Sequence, residues 1–501
     1  MTKPINIYSL SRIHDEEDFN IVACHQLGNT SNQRVQYHEI ESLRLLTDHL
    51  IENGSSLDEL DGFFYSFQIP QIGKEFDLLK ITDSVCLNIE LKSTAVSEER
   101  ILKQLENNRH YLNHIEKQLL QFTVVTDTMT CYQLSIDGEL SQVDFCEIVS
   151  TIHEMAEGYV ATIDDSFRAS DYLVSPLNTP ERFINGEFFL TQAQEEIKKS
   201  VLNRISNVKQ GTFFQITGTP GTGKTLLLYD LAMSLSLIDK TLIIHCGKLC
   251  PGQNAINKEV KELRIVSAGR LKGEGICLNE YAFILVDESH RIHVKQFESI
   301  VDSVLENAQV CIFSSDSTQI LSKKEKRRDI VNRIKMLPLD GEYTLSEKIR
   351  TNRELHAFIT QITNLNRVPK GQIDYSNVEF NYANTTTEAQ NLLKYYRNKG
   401  YVFINFSKSN YDYSPYADYE EDFDTHHVIG QEFDKVVMLL DNSFYYDDNG
   451  ILQGIPHPNP DYLYPNLFYQ GITRVRERLA LIVVDAPELF EKMISIVDTS
   501  I

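Results

Sequence analysis

The spacing of apolar and polar positions changes character along the chain. In residues 35–51, Leu43, Leu46 and Leu50 recur on one helical face, and Glu39 falls on that same face. Glu41 points the other way. A carboxylate on an apolar stripe needs a reason to be there. Residues 72–93 switch to a period of two: Val85, Leu87, Ile89 and Leu91 face one side, Glu90 and Lys92 the other. With a turn near Asp83-Ser84, this predicts a β-hairpin in which Asp77 meets Glu90 and Lys92 across the strands. The next segment is helical, with Gln104 and Tyr111 on one face. A strand pair (Phe122–Thr126, Cys131–Leu134) and a helix over Val143–Ile152 follow. Beyond residue 210 the strands become short apolar runs: Phe213–Ile216, Thr241–Cys246, Tyr281–Val286, Val310–Phe313 and Leu479–Val484. Runs of this kind suit buried strands and place the chain in the α/β class.

At 501 residues the chain has room for about three domains. Its formal charge of −23 argues against a broad basic footprint, so any nucleic-acid binding must rest on a local basic lining or a partner. Eight cysteines without a framework suit reduced thiols. His245, Cys246 and Cys250 could be taken for metal ligands, but no second pair supports that, and core packing is the expectation. The first residues lack the apolar run of a signal peptide, and no stretch approaches the ~20 apolar residues of a membrane span. A cytoplasmic protein without membrane contact is therefore expected.

The strongest chemical signal is Gly218-Thr219-Pro220-Gly221-Thr222-Gly223-Lys224-Thr225, set between a strand and Leu226-Leu227-Leu228. This is a P-loop in its proper context. Its glycines let backbone N–H groups converge on phosphate, Lys224 reaches the β/γ-phosphates, and Thr225 offers a hydroxyl to Mg²⁺. ATP and Mg²⁺ are the cofactors expected. The strand Tyr281–Val286 ends in Asp287-Glu288, a Walker B element in which Asp287 holds the Mg²⁺ shell and Glu288 orients water.

Around this pair the chain resembles superfamily 1 helicase motors, most closely the compact kind seen in Schlafen-like proteins. Gln194, in Leu190–Gln194, is similar to the adenine-reading Q motif. Gln319, after Val310–Ser315, matches motif III and its γ-phosphate sensor. Arg350, in residues 345–352, matches motif IV; His426–Asp434 resembles motif V, and Tyr469–Arg476, with Arg474, resembles motif VI. The resemblance implies two RecA-like parallel-sheet lobes, with Arg350 and Arg474 completing the ATP site when the cleft closes. Motif V departs from the pattern, having Ile429 where a lysine is usual. Spacing leaves no room for large accessory insertions, so translocation or switching is favoured over strong unwinding. Two inserts rich in tyrosine and acid, 411–423 and 444–464, suit lids or partner surfaces. The basic run Lys323–Arg328 suits either phosphate contact or solvent. With no tryptophan, base stacking falls to Phe or Tyr.

The N-terminal order (helix with Glu39, hairpin with Asp77, Glu90-Leu91-Lys92, helix with Gln104 and Tyr111) resembles the RecB-like branch of the PD-(D/E)XK nucleases over residues 30–120. The resemblance implies that Asp77 and Glu90 hold Mg²⁺, that Lys92 assists catalysis, and that Glu39 and Gln104 line the site. No iron–sulfur cluster is expected, since the cysteines for it are missing.

The resulting division is a nuclease-like domain over 1–160, a linker over 161–186, a first RecA-like lobe over 187–336 and a second over 337–501. The expected function is an ATP-dependent DNA helicase or translocase joined to a Mg²⁺-dependent nuclease. It would act on single-stranded DNA or duplex ends, with RNA and a protein partner or homo-oligomer left open. By analogy such fusions resemble antiphage defence proteins. Two alternatives remain: a nuclease gated by a nucleotide-sensing P-loop half, and a non-cleaving DNA-binding remodeller with a degenerate nuclease domain.

Overall fold

The computed structural model describes residues 3–27, 37–69, 72, 74–155, 158–163, 166–167, 174–205, 210–272, 276–316, 319–346, 353–369, 373–408, 416–455 and 462–497. The chain divides into two compact units, Met1–Tyr172 and Leu173–Ile501. No helix among the described residues is long and apolar enough to cross a membrane.

The first unit is built on one six-stranded sheet in which every neighbour in space is also a neighbour in sequence: β1 (Phe63–Gln68), β2 (Glu75–Ile81), β3 (Val85–Lys92), β4 (Gln118–Val125), β5 (Thr130–Leu134) and β6 (Leu140–Val143). All pairs are antiparallel except β3 with β4, which are parallel because the helix Glu98–Leu112 crosses between them. The hairpin forms as its alternation predicts, with Leu78 opposite Ile89, and Leu87 and Ile89 in the core. Leu43, Leu46 and Leu50 of the helix Tyr37–Glu52 cover the same core. β6 occupies residues where the sequence pattern suggested the start of a helix; the helix begins at Phe145, with Asp144 as its N-cap.

The second unit holds two parallel-sheet lobes. The first runs in the order β12–β7–β11–β10–β8–β9, where β7 is Thr212–Gly218, β8 Thr241–His245, β9 Leu263–Ser267, β10 Phe283–Asp287, β11 Val310–Ser315 and β12 Leu339–Leu345. Its strands read as continuous apolar runs because both faces are buried. Phe214, Ile243, Leu285 and Ile312 pack on one side, while Phe213, Ile244, Ile284 and Phe313 pack on the other. β12 corrects the expected lobe boundary at 336/337. It pairs in parallel with β7 from Leu339 to Leu345, so the first lobe extends to residue 345. Its alternating burial is that of an edge strand with one solvated side, which hid it among the apolar runs.

The second lobe is the sheet β13–β19–β16–β14–β15: β13 is Val378–Ala383, β14 Val402–Asn405, β15 Phe423–Asp424, β16 Phe433–Asp441 and β19 Val475–Val484. A small antiparallel hairpin, β17 (Phe444–Tyr446) with β18 (Leu452–Gly454), lies in the second tyrosine-rich insert. The expected linker is also corrected. Residues 174–186 belong to the second unit, where Val174, Leu177 and Phe183 enter the core of the first lobe.

Candidate functional site

The P-loop leaves β7 at Gly218 and enters the helix Lys224–Ser236. Gly221 and Gly223 take φ of +82° and +78°, a left-handed conformation that only glycine adopts without strain. Thr219, Pro220 and Thr222 complete the loop, and the Thr222 hydroxyl donates to the Thr219 carbonyl at 2.9 Å. Lys224 Nζ donates to the carbonyls of Gly218 and Thr219 at 2.7 and 2.9 Å and lies 3.4 Å from Asp316 Oδ2. Carbonyl and carboxylate oxygens thus serve the ammonium in place of phosphate oxygens, so the loop fits a nucleotide. Gln194, expected to read adenine, is fully buried and differently occupied. Its Oε1 accepts from Thr191 N at 2.9 Å, and its Nε2 donates to Thr222 O at 3.2 Å. In this structure it braces the P-loop from below.

Asp287 and Glu288 stand at the end of β10, both buried. His245, the last residue of the neighbouring β8, places Nδ1 3.2 Å from Asp287 Oδ2. Glu288 adopts φ +55°, in the left-handed region, directly after the strand. Among the described residues its Oε2 makes no hydrogen bond; Arg291 Nε lies 3.6 Å away, and His290 Nε2, in a ring whose burial favours the neutral form, lies 3.5 Å away. Burial alone would raise the Glu288 carboxyl, but His290, Arg291, Lys224 and Arg474 together hold it down at about 2. A buried, ionised carboxylate held this far down is a weak base, suited to orient a water by accepting its hydrogen bond. Gln319, expected as γ-phosphate sensor, is buried near the same residues. Its carbonyl accepts from Arg291 Nη2 at 3.3 Å, and its side-chain Oε1 has no hydrogen-bond partner among the described residues.

The second lobe reaches this site through two segments. Arg474, at the end of the helix Tyr464–Ile472, is buried, and its Nε donates to the Gln470 carbonyl at 3.2 Å. Gly430, at φ +77°, approaches so closely that a Cβ there would lie 4.0 Å from Thr225 Oγ1 and 2.7 Å from Leu177. Asn178 clamps the next turn: its Nδ2 donates to Glu432 O at 2.6 Å and its Oδ1 accepts from Glu432 N at 3.1 Å. Leu177, the preceding residue, accepts from Cys250 Sγ at 3.6 Å, so Cys250 is a core residue as expected. Arg350 lies outside the described residues.

Beside the nucleotide site, a cavity of about 410 Å³ opens between the lobes. Lys248, Arg291, His293, Lys408 and His426 line it, with Asp424 and Tyr462. Lys248 Nζ bridges the lobes to His427 Nε2 at 2.9 Å.

In the first unit, a cavity of about 250 Å³ is lined by Glu39, Tyr65, Glu75, Asp77 and Lys92. The structure therefore brings Asp77, Lys92 and Glu39 together. Asp77 Oδ2 accepts from Leu91 N at 2.8 Å, and its carboxyl is pushed up to about 8, first by burial and then by the charge of Glu90. Glu90 departs from expectation. It is buried behind the cavity wall, where Oε1 accepts from Asn88 at 3.1 Å and Asn108 at 2.8 Å, and Oε2 accepts from Gln104. Gln104 therefore holds Glu90 and does not line the cavity. Among the described residues no set of three His, Cys, Asp or Glu is arranged to hold a metal alone, so carbonyl oxygens or water would have to complete a Mg²⁺ shell.

Sequence reasoning missed Asp316, His245, His290, Arg291, Asn178 and Glu75. Asp316, His290 and Arg291 directly follow strands it had identified, and that position was the available signal. Nothing local marks Asn178 or Glu75, which gain their roles from distant partners.

Residues 211–436 match the family described as Schlafen group 3, DNA/RNA helicase domain. This part of the chain is helicase-like. Solved structures with similarity include a Pif1 helicase from Bacteroides in complex with ADP-AlF3 and single-stranded DNA; the two are 14% identical over 60% of this chain and 93% of that one, with a TM-score of 0.31. The arterivirus nonstructural protein 10 (helicase) with DNA is 12% identical over 78% of this chain and 82% of that one, with a TM-score of 0.33. No curated protein matches the chain.

Proposed function

We propose that the second unit is an ATP-hydrolysing, helicase-like motor that moves on or switches with nucleic acid. The observation that carries this reading is Glu288, a buried carboxylate kept ionised by cations from both lobes and with one oxygen uncommitted. Thr225 and Asp287 would hold Mg²⁺, and bound MgATP would supply the phosphoryl group whose transfer to water drives the cycle. Lys224, which here meets the Gly218 and Thr219 carbonyls and Asp316, would hold the phosphate oxygens. Asp287 is oriented by His245, and Glu288 orients the attacking water. Arg474, from the second lobe, adds positive charge only while the lobes are together. The inter-lobe cavity, with Lys248, Arg291 and Lys408, is the proposed path for the nucleic-acid strand, in keeping with the DNA/RNA helicase description of the matching family. The test is ATP turnover by the purified protein with and without single-stranded DNA or RNA, alongside Lys224→Ala.

For the first unit, we infer a PD-(D/E)XK-like nuclease. Its helix–hairpin–helix–parallel-strand order and the cavity shared by Glu39, Asp77 and Lys92 support this. Asp77 would join a Mg²⁺ shell completed by carbonyl oxygens or water, Glu90 as placed being held away from it, and Lys92 would neutralise charge developing on the scissile phosphate. One observation favours a second reading, that of a non-cleaving interaction module: Glu90 already has amide donors on both oxygens. Cleavage of labelled strands in Mg²⁺ against EDTA separates the two.

A further inference from the structure

The densest positive charge in the chain belongs to neither site. Of the thirteen residues from Lys323 to Lys335, seven are Lys or Arg and two are acidic, in a chain of net charge −23. They form two short helices, Lys323–Arg328 and Ile330–Lys335, joined at Asp329. Ile330 and Ile334 anchor the second helix in the lobe core. Both acidic residues have local partners: Glu325 Oε2 accepts from Leu321 N at 2.8 Å, and the Asp329 carboxylate accepts from Asn332 Nδ2 at 2.9 Å. Arg328 turns inward and donates to the Arg291 carbonyl at 2.7 Å. Lys323, Lys326, Arg327 and Lys335 remain exposed, and among the described residues none of them has an ion-pair partner. Yet the chain has 71 Asp and Glu against 48 Lys and Arg. Like charges one helical turn apart repel by a few tenths of a kcal/mol per pair, so the cluster is a cost unless a polyanion offsets it.

The patch is continuous with the inter-lobe cavity. Arg291, which anchors Arg328, lines that cavity, as does Tyr462, which is bridged through its backbone to Ser322 at the start of the basic helix. Leu463 N also donates to Leu321 O at 2.9 Å. A strand leaving the cavity on this side meets the lysines next.

We propose that Lys323, Lys326, Arg327 and Lys335 bind the sugar-phosphate backbone of the single strand that emerges from the inter-lobe cavity. This rests on the motor reading above. The run offers cations and no aromatic ring, so it reads phosphate and not sequence, and its contribution falls with salt.

The test uses the full chain, the charge reversal Lys326→Glu/Arg327→Glu and the milder Lys323→Ala/Lys326→Ala/Arg327→Ala. Binding is measured by anisotropy on labelled oligo-dT and oligo-U of about 6 and about 16 nucleotides, a range matching common single-strand site sizes. Wild type should bind the longer strands at least tenfold more tightly. Both variants should keep wild-type affinity for the short strands and wild-type ATP turnover without nucleic acid, yet lose most of the length-dependent gain. The slope of log K against log salt should fall by about 0.7 for each phosphate contact removed. Variants with the same gain and slope as wild type would overturn the proposal and leave the motor reading intact. Failure of wild type to bind any strand would overturn the nucleic-acid part of the motor reading as well.

Discussion

Glu288 combines three properties that single residues seldom share: a left-handed φ of +55°, burial, and an unbonded carboxylate oxygen. Strain and an open hydrogen bond at one side chain persist where the surroundings impose them, and they cluster at working sites. Glu288→Gln keeps shape and volume but removes the charge, so it should bind ATP like wild type and turn it over at least tenfold more slowly, a loss of at least ~1.4 kcal/mol of barrier lowering. Equilibrium nucleotide binding and steady-state hydrolysis check both halves. Asp77 gives a second test at this scale. Without metal, its folded carboxyl keeps a proton up to about pH 8, whereas an unperturbed one releases it near 3.8. The folded state then binds more protons than the unfolded one, so wild type should lose stability relative to Asp77→Asn as pH rises through that window. Thermal unfolding in EDTA at several pH values reads this; a gap that stays constant would contradict it. The residues legible from sequence were those whose chemistry is written in consecutive positions, as in Gly218–Thr225 and Asp287-Glu288. His245 and Asp316 act on them only because parallel strands align their carboxyl ends, a neighbourhood set by strand order and absent from local spacing.

Among the elements, the segment holding Leu177 and Asn178 is the one whose role changed most. It read as a linker because Pro176, Pro180 and mixed polar residues give it no period. In the fold it touches both lobes: Leu177 meets Cys250 and Gly430, and Asn178 satisfies both backbone groups of Glu432. Asn178→Ala leaves a buried N–H and C=O without these partners, at a cost of about 1–3 kcal/mol each. That cost falls on the loop that sets Gly430 against Thr225. ATP turnover should therefore drop severalfold or more while the protein stays folded by circular dichroism; unchanged turnover would mean the clamp is incidental. β12 was misassigned for a related reason. An edge strand alternates exposed and buried positions, so Leu339–Leu345 lacked the wholly apolar signature of its neighbours. The hairpin with Asp77 and Lys92 was legible because its period of two is strict, but no pattern announced that Asn88, Gln104 and Asn108 would draw Glu90 behind the cavity.

For the whole molecule, two units with separate cores allow the two proposed activities to be tested separately. Asp77→Ala and Lys92→Ala should abolish Mg²⁺-dependent cleavage and leave ATP turnover at the wild-type rate; Lys224→Ala should abolish turnover and leave the first unit folded. Cleavage that persists in both first-unit variants would place its catalytic centre elsewhere or rule out this site. The central claim concerns the motor, in which Lys224, Asp287 and Glu288 from one lobe and Arg474 from the other form one hydrolytic site beside a basic cavity. Steady-state ATP hydrolysis by the full-length protein, with and without single-stranded DNA or RNA, tests it most directly. A strand should accelerate turnover and Glu288→Gln should suppress it at least tenfold; absence of turnover under all conditions, or a Glu288→Gln variant as fast as wild type, would rule this site out.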